Sequence, residues 1–542
     1  MIDTPKRPPQ HEVHHYLRQG WWGTRTFADI LAKRAGDHPD RTAFVDAKSS
    51  ITYGDLWSQV NRFAEFLRRQ GLGHGDVVTL QMPNRIEFAV VFFSLELIGA
   101  IANKISSDLR ATELDYILRF SDSAAYVCAR EFKGFDYVDL IQSVRPNLPG
   151  LKVVVCVDDV ESPGVASFAS AVTSSPVLRK ADRFHMDPDE IMRMCFTSGT
   201  TGNPKGVLHS FNTTLCAAEF LSADMQVTSD DVFLIYLPVG LNWGYLTLLQ
   251  VVMAGAKGVL LDRFSGRAAL DLIEKERVTY IPTAPASIVA ILNAEGVKNR
   301  DLSSLRVVLT GGASASLEAI KAFQTAIPGA KLIELYGMLE TGFHCYTRLD
   351  DDPLKVNGTI GRCISQLQLG VLDEAGRLVP DGQSGELAAK GPSVHLGYLN
   401  NPSANLDSFT EDGWFRTGDL GEVVDAAGNV RISGRKKEII NRGGKKYFPR
   451  EIEELLYQHP AFLLVAVVGL PDERLGERNC LCAVLKPGAT IALAEVVSLL
   501  KGRVADYKLP EQLELLNQLP MTPTGKVRKP ELIRQILQAR HG

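Results

Sequence analysis

The sequence predicts an α/β protein: a large N-terminal part followed by a small α+β domain. Three observations carry this. From about Val77 to Gly337, apolar β-type runs alternate with helical stretches, the pattern of parallel strands covered on both faces. From about Gly358 to Gly434 the runs shorten and are broken by Gly, Pro and Asp, which predicts a β-rich subdomain. After Gly434-Arg435-Lys436-Lys437-Glu438 the pattern starts afresh with its own helices and strands.

In chain order, the α/β part offers strands at Val77-Val78-Thr79-Leu80, Val153-Val154-Val155, Val232-Phe233-Leu234-Ile235, Arg306-Val307-Val308-Leu309 and Lys331-Leu332-Ile333-Glu334-Leu335. The β-rich part has turn signals at Asp373-Glu374-Ala375-Gly376 and Asp425-Ala426-Ala427-Gly428. In the last domain, residues 450–459 and 494–504 read as helices, and residues 463–468 and 479–485 as strands.

The chain has 542 residues, 45% hydrophobic and 23% charged, enough for a substantial folded core and unlike a disordered or fibrous composition. A net charge of -4 gives no electrostatic reason to expect nucleic acid or an anionic membrane. The most apolar windows, residues 89–102 and 245–261, are interrupted by Glu96 and by Gln250 and Lys257, so they read as buried elements and not as membrane spans. Residues 1–10 lack the apolar core of a signal peptide, which makes the cytoplasm the default location. Eight scattered cysteines read as reduced, mostly buried thiols; Cys480 and Cys482 sit in a strand-like alternation.

The chemistry concentrates after the β-like run Met192 to Phe196. Thr197-Ser198-Gly199-Thr200-Thr201-Gly202-Asn203-Pro204-Lys205-Gly206 packs four hydroxyls, three glycines and a lysine into ten residues. A triphosphate needs close backbone N–H groups, hydroxyl donors and a cation, and these residue types supply all three. Pro204 and Gly206 flank Lys205 where a Walker A loop requires Gly and Ser/Thr. An ordinary Ser/Thr/Gly turn is the competing reading.

The ten residues resemble the phosphate loop of the adenylate-forming superfamily of acyl-CoA synthetases, peptide-synthetase adenylation domains and luciferases. Further blocks follow in that superfamily's order: Tyr336-Gly337-Met338-Leu339-Glu340, Gly385-Glu386-Leu387 with Gly397-Tyr398, Trp414 to Asp419, Gly434 to Glu438 with Asn441 to Pro449, and Pro523-Thr524-Gly525-Lys526. The resemblance runs from about residue 25 to 535. It implies a large N-terminal domain, residues 1–436, of two doubly wound α/β subdomains plus the β-rich one, and a mobile lid, residues 437–542.

The resemblance also implies roles that the residue types suit. Tyr336 offers a flat face for adenine, and Glu340 a hard oxygen ligand for Mg2+. Asp419 accepts from the ribose hydroxyls, and Arg435 donates to ribose or phosphate oxygens. Gly337, Gly312 and Ala313 join the nucleotide contacts, and Trp243 with Gly312 borders the acid. Lys526 neutralises charge developing at the α-phosphate. Rotation about Lys437 then exchanges Lys526 for Gly443-Gly444, which line the tunnel for the thiol of coenzyme A.

Two positions depart from the family pattern. Leu339 stands where a threonine usually contacts the α-phosphate, with Thr341 as the nearby substitute hydroxyl. Leu241, in Leu237-Pro238-Val239-Gly240-Leu241-Asn242-Trp243, replaces a common aromatic or His, and Trp243 is the alternative gate. His11-Glu12-Val13-His14-His15 matches the zinc-protease pattern H-E-x-x-H but lacks an evident third ligand, so coincidence is expected.

The resulting expectation is an ATP-dependent carboxylic acid–CoA ligase. Gly20-Trp21-Trp22 and its surroundings resemble activators of aryl and alicyclic acids, so the acid is expected to be aryl, alicyclic or medium-chain. A stand-alone enzyme loading a carrier protein and a nucleotide-binding regulator without turnover are the alternatives. A homodimer is left open.

Overall fold

The computed structural model describes residues 5–197, 204–312, 315, 317–522 and 526–541. Two large sheets form the α/β part. One orders its strands Gly206–Ser210, Ile191–Phe196, Ile101–Lys104, Val77–Gln81, Ser123–Cys128, Val153–Cys156 and Val165–Ser167, and only the first is antiparallel to its neighbour. The other runs Arg362–Cys363, Gly342–Tyr346, Lys331–Met338, Val307–Gly311, Tyr280–Thr283, Val232–Ile235, Lys257–Leu260, Thr42–Val45 and Ser50–Thr52, parallel from Lys331–Met338 through to Thr42–Val45. The strands at 42–45 and 50–52 precede the region the sequence pattern marks as α/β.

The two apolar windows are each a helix followed by a strand. Ile86–Ile98 and Asn242–Ala254 end at Gly99 and Gly255, whose φ of 74° and 71° lets the chain leave the helix in the left-handed region before Ile101–Lys104 and Lys257–Leu260. Both helices are buried almost all round, in a core that also takes in Val78, Leu80, Phe233, Ile235 and Leu309 from the two sheets. Asn84 staples the region: its amide donates to the carbonyls of Ile235, Leu237 and Leu261 at 3.0–3.2 Å and its oxygen accepts from Val239 N–H. Glu96 is fully buried on one of these helices, accepts from Ala28 N–H at 2.7 Å, and has its pKa pushed well up by desolvation. Among the described residues no helix is long and apolar enough to cross a membrane.

The β-rich part is an antiparallel sheet of Gln368–Leu372, Gly385–Lys390, Phe415–Val423 and Val430–Arg435. Both turn signals fall between or beside its strands, with Gly376 and Gly428 at positive φ. The last domain forms its own sheet, in which the long hairpin Phe462–Asp472 and Gly476–Leu485 carries Gln512–Leu515 and Ile440–Arg442 on its flanks. The helix expected over 494–504 is Leu493–Leu500; it stops before Gly502, which takes φ 78°. The cysteines are unpaired and buried except Cys363, which is partly exposed. Within His11 to His15, Glu12 is engaged by Tyr16 and Lys390, and no metal-ligand cluster forms there among the described residues.

Candidate active site

The phosphate-loop sequence is the connection of a hairpin. Ile191–Phe196 pairs antiparallel with Gly206–Ser210, and Thr197 and Lys205 close the base: Thr197 N–H donates to Lys205 C=O at 3.0 Å, and Lys205 N–H to Thr197 Oγ1 at 3.2 Å. Ser198, Gly199, Thr200, Thr201, Gly202 and Asn203 lie outside the described residues, as does Ala313. The segment at Gly397 and Tyr398 runs beside the second strand, through Leu208 N–H to Gly397 C=O at 3.0 Å.

That segment brings three chemical groups together. Tyr398 donates its hydroxyl to Glu340 Oε1 at 3.1 Å, and Lys205 Nζ sits 4.8 Å from the Tyr398 ring centroid. Glu340 is in the tight link between Lys331–Met338 and Gly342–Tyr346. Desolvation raises its pKa, opposed by Tyr398, Arg435 and Lys205. His209 Nε2 lies 2.8 Å from Leu339 C=O, and burial holds the His209 pKa well below its ordinary value, so this imidazole is neutral and orders the link as a donor.

Across the cleft, the antiparallel sheet sets Asp419 directly opposite Arg435. Arg435 Nε donates to Asp419 Oδ1 at 3.0 Å, and Tyr336 donates its hydroxyl to Oδ2 at 2.7 Å. Asp419 is thus a buried hub joining two sheets, and the Arg435 pKa is raised chiefly by its charge. Lys526 arrives from the small domain on a loop tied by Lys526 N–H to Thr522 Oγ1 at 3.0 Å. Its ammonium lies in the field of Arg435, Asp419, Glu438 and Glu340, and desolvation, then Arg435, lowers its pKa. Two helices brace this entry: Lys529 pairs with Glu453 at 2.8 Å and with Glu438 at 3.4 Å. Lys437 lies in the turn Lys436–Glu438, next to Lys436, whose Nζ reaches Glu386 at 3.5 Å. Glu386 also holds Arg416 at 3.0 Å.

The part of the cleft around Trp243 is different in character. Trp243 stands in the first turn of Asn242–Ala254, with Leu241 as N-cap and no side-chain cap. Its ring lies against Gly311, where a Cβ would come within 3.0 Å of Trp243 Cη2 and 2.5 Å of Leu335 C=O. Gly312 follows at φ 84°, a conformation glycine permits. Trp243 Nε1 is buried without a hydrogen-bond partner among the described residues. Two fully buried cations lie behind this wall: Lys104 and Arg193, 4.5 and 5.1 Å from the Tyr245 ring centroid. Arg193 donates to Thr214 Oγ1 and Asn242 Oδ1, while its Nη2 and Lys104 Nζ have no partner among the described residues. Desolvation brings the Lys104 pKa down to about 8.

Several expectations change in detail. Thr341, the substitute hydroxyl, is fully buried and donates to Gly342 C=O at 3.2 Å. Gly337 has a packing reason of its own: a Cβ there would meet Gly342 C=O at 2.3 Å. Gly443 and Gly444, at φ 61° and 82°, form the two-residue turn between Ile440–Arg442 and Lys445–Tyr447, a hairpin type that demands positive φ at both positions. Tyr398 stands in the block Gly397-Tyr398, but its contact with Glu340 is not readable from the sequence, and His209, Lys104 and Arg193 lie in mostly apolar strands outside any motif. A cation inside the strand Ile191–Phe196 was the one available signal.

Two α/β sheets, an antiparallel sheet and a separate lysine-bearing domain meeting at one cleft of carboxylates and cations define a multidomain nucleotide-dependent enzyme. The chain belongs to the AMP-binding enzyme family, whose profile matches residues 31–399, with the AMP-binding enzyme C-terminal domain matching residues 451–526. It is 35% identical to the medium-chain fatty-acid–CoA ligase of Escherichia coli (strain K12), over 96% of this chain and 92% of that protein. It is 32% identical to the 2,3-dihydroxybenzoate-AMP ligase of Bacillus subtilis (strain 168), over 97% and 96%. The structure of the anthranilate CoA ligase AuaEII in complex with anthranoyl-AMP superposes with a TM-score of 0.88 at 25% identity, covering 96% of this chain and 98% of that one.

Proposed function

We propose that this enzyme is a carboxylic acid–CoA ligase acting through an acyl-adenylate, with an aryl, alicyclic or medium-chain acid as substrate. The observation that carries the reading is the entry of Lys526, from the small domain, into the field of Glu340, Asp419 and Arg435. In the first step a carboxylate oxygen attacks the α-phosphorus of ATP, and the bond to the bridging oxygen breaks to release pyrophosphate. Lys526 neutralises the charge that builds there. In the second step the thiol of coenzyme A attacks the acyl carbon, its proton leaves, and the C–O bond to AMP breaks.

In this reading the hairpin from Thr197 to Lys205 cradles the triphosphate, Tyr336 and Gly337 border the adenine, and Asp419 with Arg435 holds the ribose. Asp419 already accepts from two donors, but a carboxylate has about four lone-pair sites, so hydroxyls can join. Glu340 fits a magnesium ion: it is a desolvated carboxylate whose Oε1 accepts from Tyr398. A magnesium ion there would supply charge neutralisation to the phosphates. Residues 1–436 bind acid and ATP, and residues 437–542 form the lid that turns at Lys437 to bring Gly443-Gly444 to the thiol.

The carrier-protein alternative is supported by relatives named as AMP ligases. One experiment separates them: AMP release from a panel of acids, with and without CoA. Multiple turnover with CoA alone is expected. Acid-dependent pyrophosphate exchange with no CoA thioester would favour the carrier, and no exchange with any acid would overturn the reading.

A further inference from the structure

The hairpin that carries Tyr336 contains an irregularity. Tyr336 pairs with Cys345 and Gly337 with Phe343, so His344 is the extra residue of a β-bulge. Regular alternation would send His344 and Cys345 to opposite faces of the strand. The bulge cancels it. On the other side Cys345 pairs directly with Cys363 of the edge strand. As a result a His344 ring nitrogen and the sulfurs of Cys345 and Cys363 all lie within 4.8 Å of one another.

A second observation is independent of the clustering. His344 has no exposed surface, and both of its ring nitrogens are buried without a hydrogen-bond partner among the described residues. Buried polar side-chain atoms are rarely left this way. Unlike His209, which spends Nε2 on Leu339 C=O, His344 has both nitrogens to offer. Cys363 is partly exposed and gives an approach from solvent.

We propose that His344, Cys345 and Cys363 form a binding site for a borderline-soft transition-metal ion of the zinc class. One imidazole with two thiolates is a donor set for such an ion, with a water completing four-coordination. Bond lengths of about 2.0–2.3 Å set tetrahedral ligands roughly 3.5–3.8 Å apart, so closure shortens these separations by about 1.3 Å at most. Binding releases the two thiol protons to solvent and transfers no electrons. The site is separate in kind from Glu340, whose hard oxygens suit magnesium. Its consequence is local: Cys345 is the cross-strand partner of Tyr336, and the His344 ring lies 6.1 Å from the Tyr336 ring, so the ion clamps the strand next to the one bearing Tyr336 to the edge strand.

The test is titration of the full-length chain, reduced and stripped with chelator, with Co2+. One equivalent is expected to produce a thiolate-to-cobalt charge-transfer band with the visible bands of a tetrahedral ion, and one equivalent of Zn2+ to bleach them. Cys345→Ser and Cys363→Ser each lose charge-transfer intensity and bind more weakly by over ~10-fold. Cys480→Ser is the control, because Cys480 and Cys482 are another close pair, 3.9 Å apart, and it leaves the titration unchanged. Zn2+ raises the thermal midpoint of the parent protein but not of Cys363→Ser, a partly exposed position where the change does not threaten folding. Absence of the charge-transfer band in the parent protein overturns the site. So does its survival in Cys345→Ser and Cys363→Ser, or a Cys345–Cys363 disulfide in protein isolated with Zn2+ present.

Discussion

The two sides of the cleft, to which the proposed function assigns the nucleotide and the acid, are built on opposite rules. On the nucleotide side, functional groups are already held by others from distant elements: Tyr336 and Arg435 share Asp419, and Tyr398 holds Glu340. On the side proposed for the acid, Trp243 Nε1, Lys104 Nζ and Arg193 Nη2 are buried with no hydrogen-bond partner among the described residues. A ligand of constant shape favours donors fixed before it arrives, since no reorganisation is then needed during reaction. An acid recognised by its bulk needs walls, and Gly311 packed on Trp243 is a wall.

The largest expected effect falls on the group that joins the two sides. Lys526→Ala should lower acid-dependent pyrophosphate exchange by about 10²–10³-fold, the scale of removing one charge-stabilising donor. A supplied acyl-adenylate should still pass to CoA at close to the parent rate. Equal loss in both assays, in a folded variant, would place the lysine in both half-reactions.

Next come substitutions confined to one side. Asp419→Asn weakens two hydrogen bonds to a charged group, of which one is worth about 1.5–3 kcal/mol, so the KM for ATP should rise by roughly 10–100-fold. Trp243→Ala should shift relative kcat/KM towards bulkier acids by ~10-fold or more while leaving the KM for ATP nearly unchanged. If Trp243→Ala disturbs ATP as much as Asp419→Asn does, the division into two sides fails.

Lys104→Met probes the uncompensated charge itself. The Lys104 pKa is depressed from 10.5 to about 8, so between those values the unfolded chain binds more protons than the folded one. Stability of the parent should therefore rise with pH from about 8 towards 10.5, with the full penalty present below 8. Met removes the charge and keeps the volume, so the variant should be more stable at pH 7 by about 1–4 kcal/mol and lack that rise. Denaturant midpoints across the window check both signs. A destabilised variant would mean that Lys104 meets an anion in the resting protein.

How much of this was legible in the sequence follows the same division. The hairpin at Thr197 to Lys205, Tyr336, Glu340, Asp419, Arg435 and Lys526 stand in compact motifs because a fixed ligand ties residue type to local spacing. Lys104, Arg193 and His209 do not, because their meaning depends on strands paired across long sequence gaps, such as Cys195 beside Lys104. The parallel sheets were visible as apolar runs, yet Thr42–Val45 was not, since a short edge-proximal strand carries little pattern. Gly443-Gly444 was visible but ambiguous: the turn geometry alone, with positive φ at both positions, favours glycines there.

The smallest effect is expected at Leu339, the departure on the nucleotide side. Its side chain packs against a small core of Val207, Ala389, Val394, Tyr398 and Phe415, and its carbonyl is engaged by His209. Leu339→Thr restores the hydroxyl seen in the family pattern but removes part of that apolar contact, a loss of about 1 kcal/mol for a half-buried site. Exchange activity should stay level or rise, with a slightly lower thermal midpoint, because the main chain that positions Glu340 is held through the carbonyl and not through the side chain. A large fall in activity with an unchanged midpoint would instead assign the leucine side chain to the acid, and the boundary between the two sides would run through residue 339.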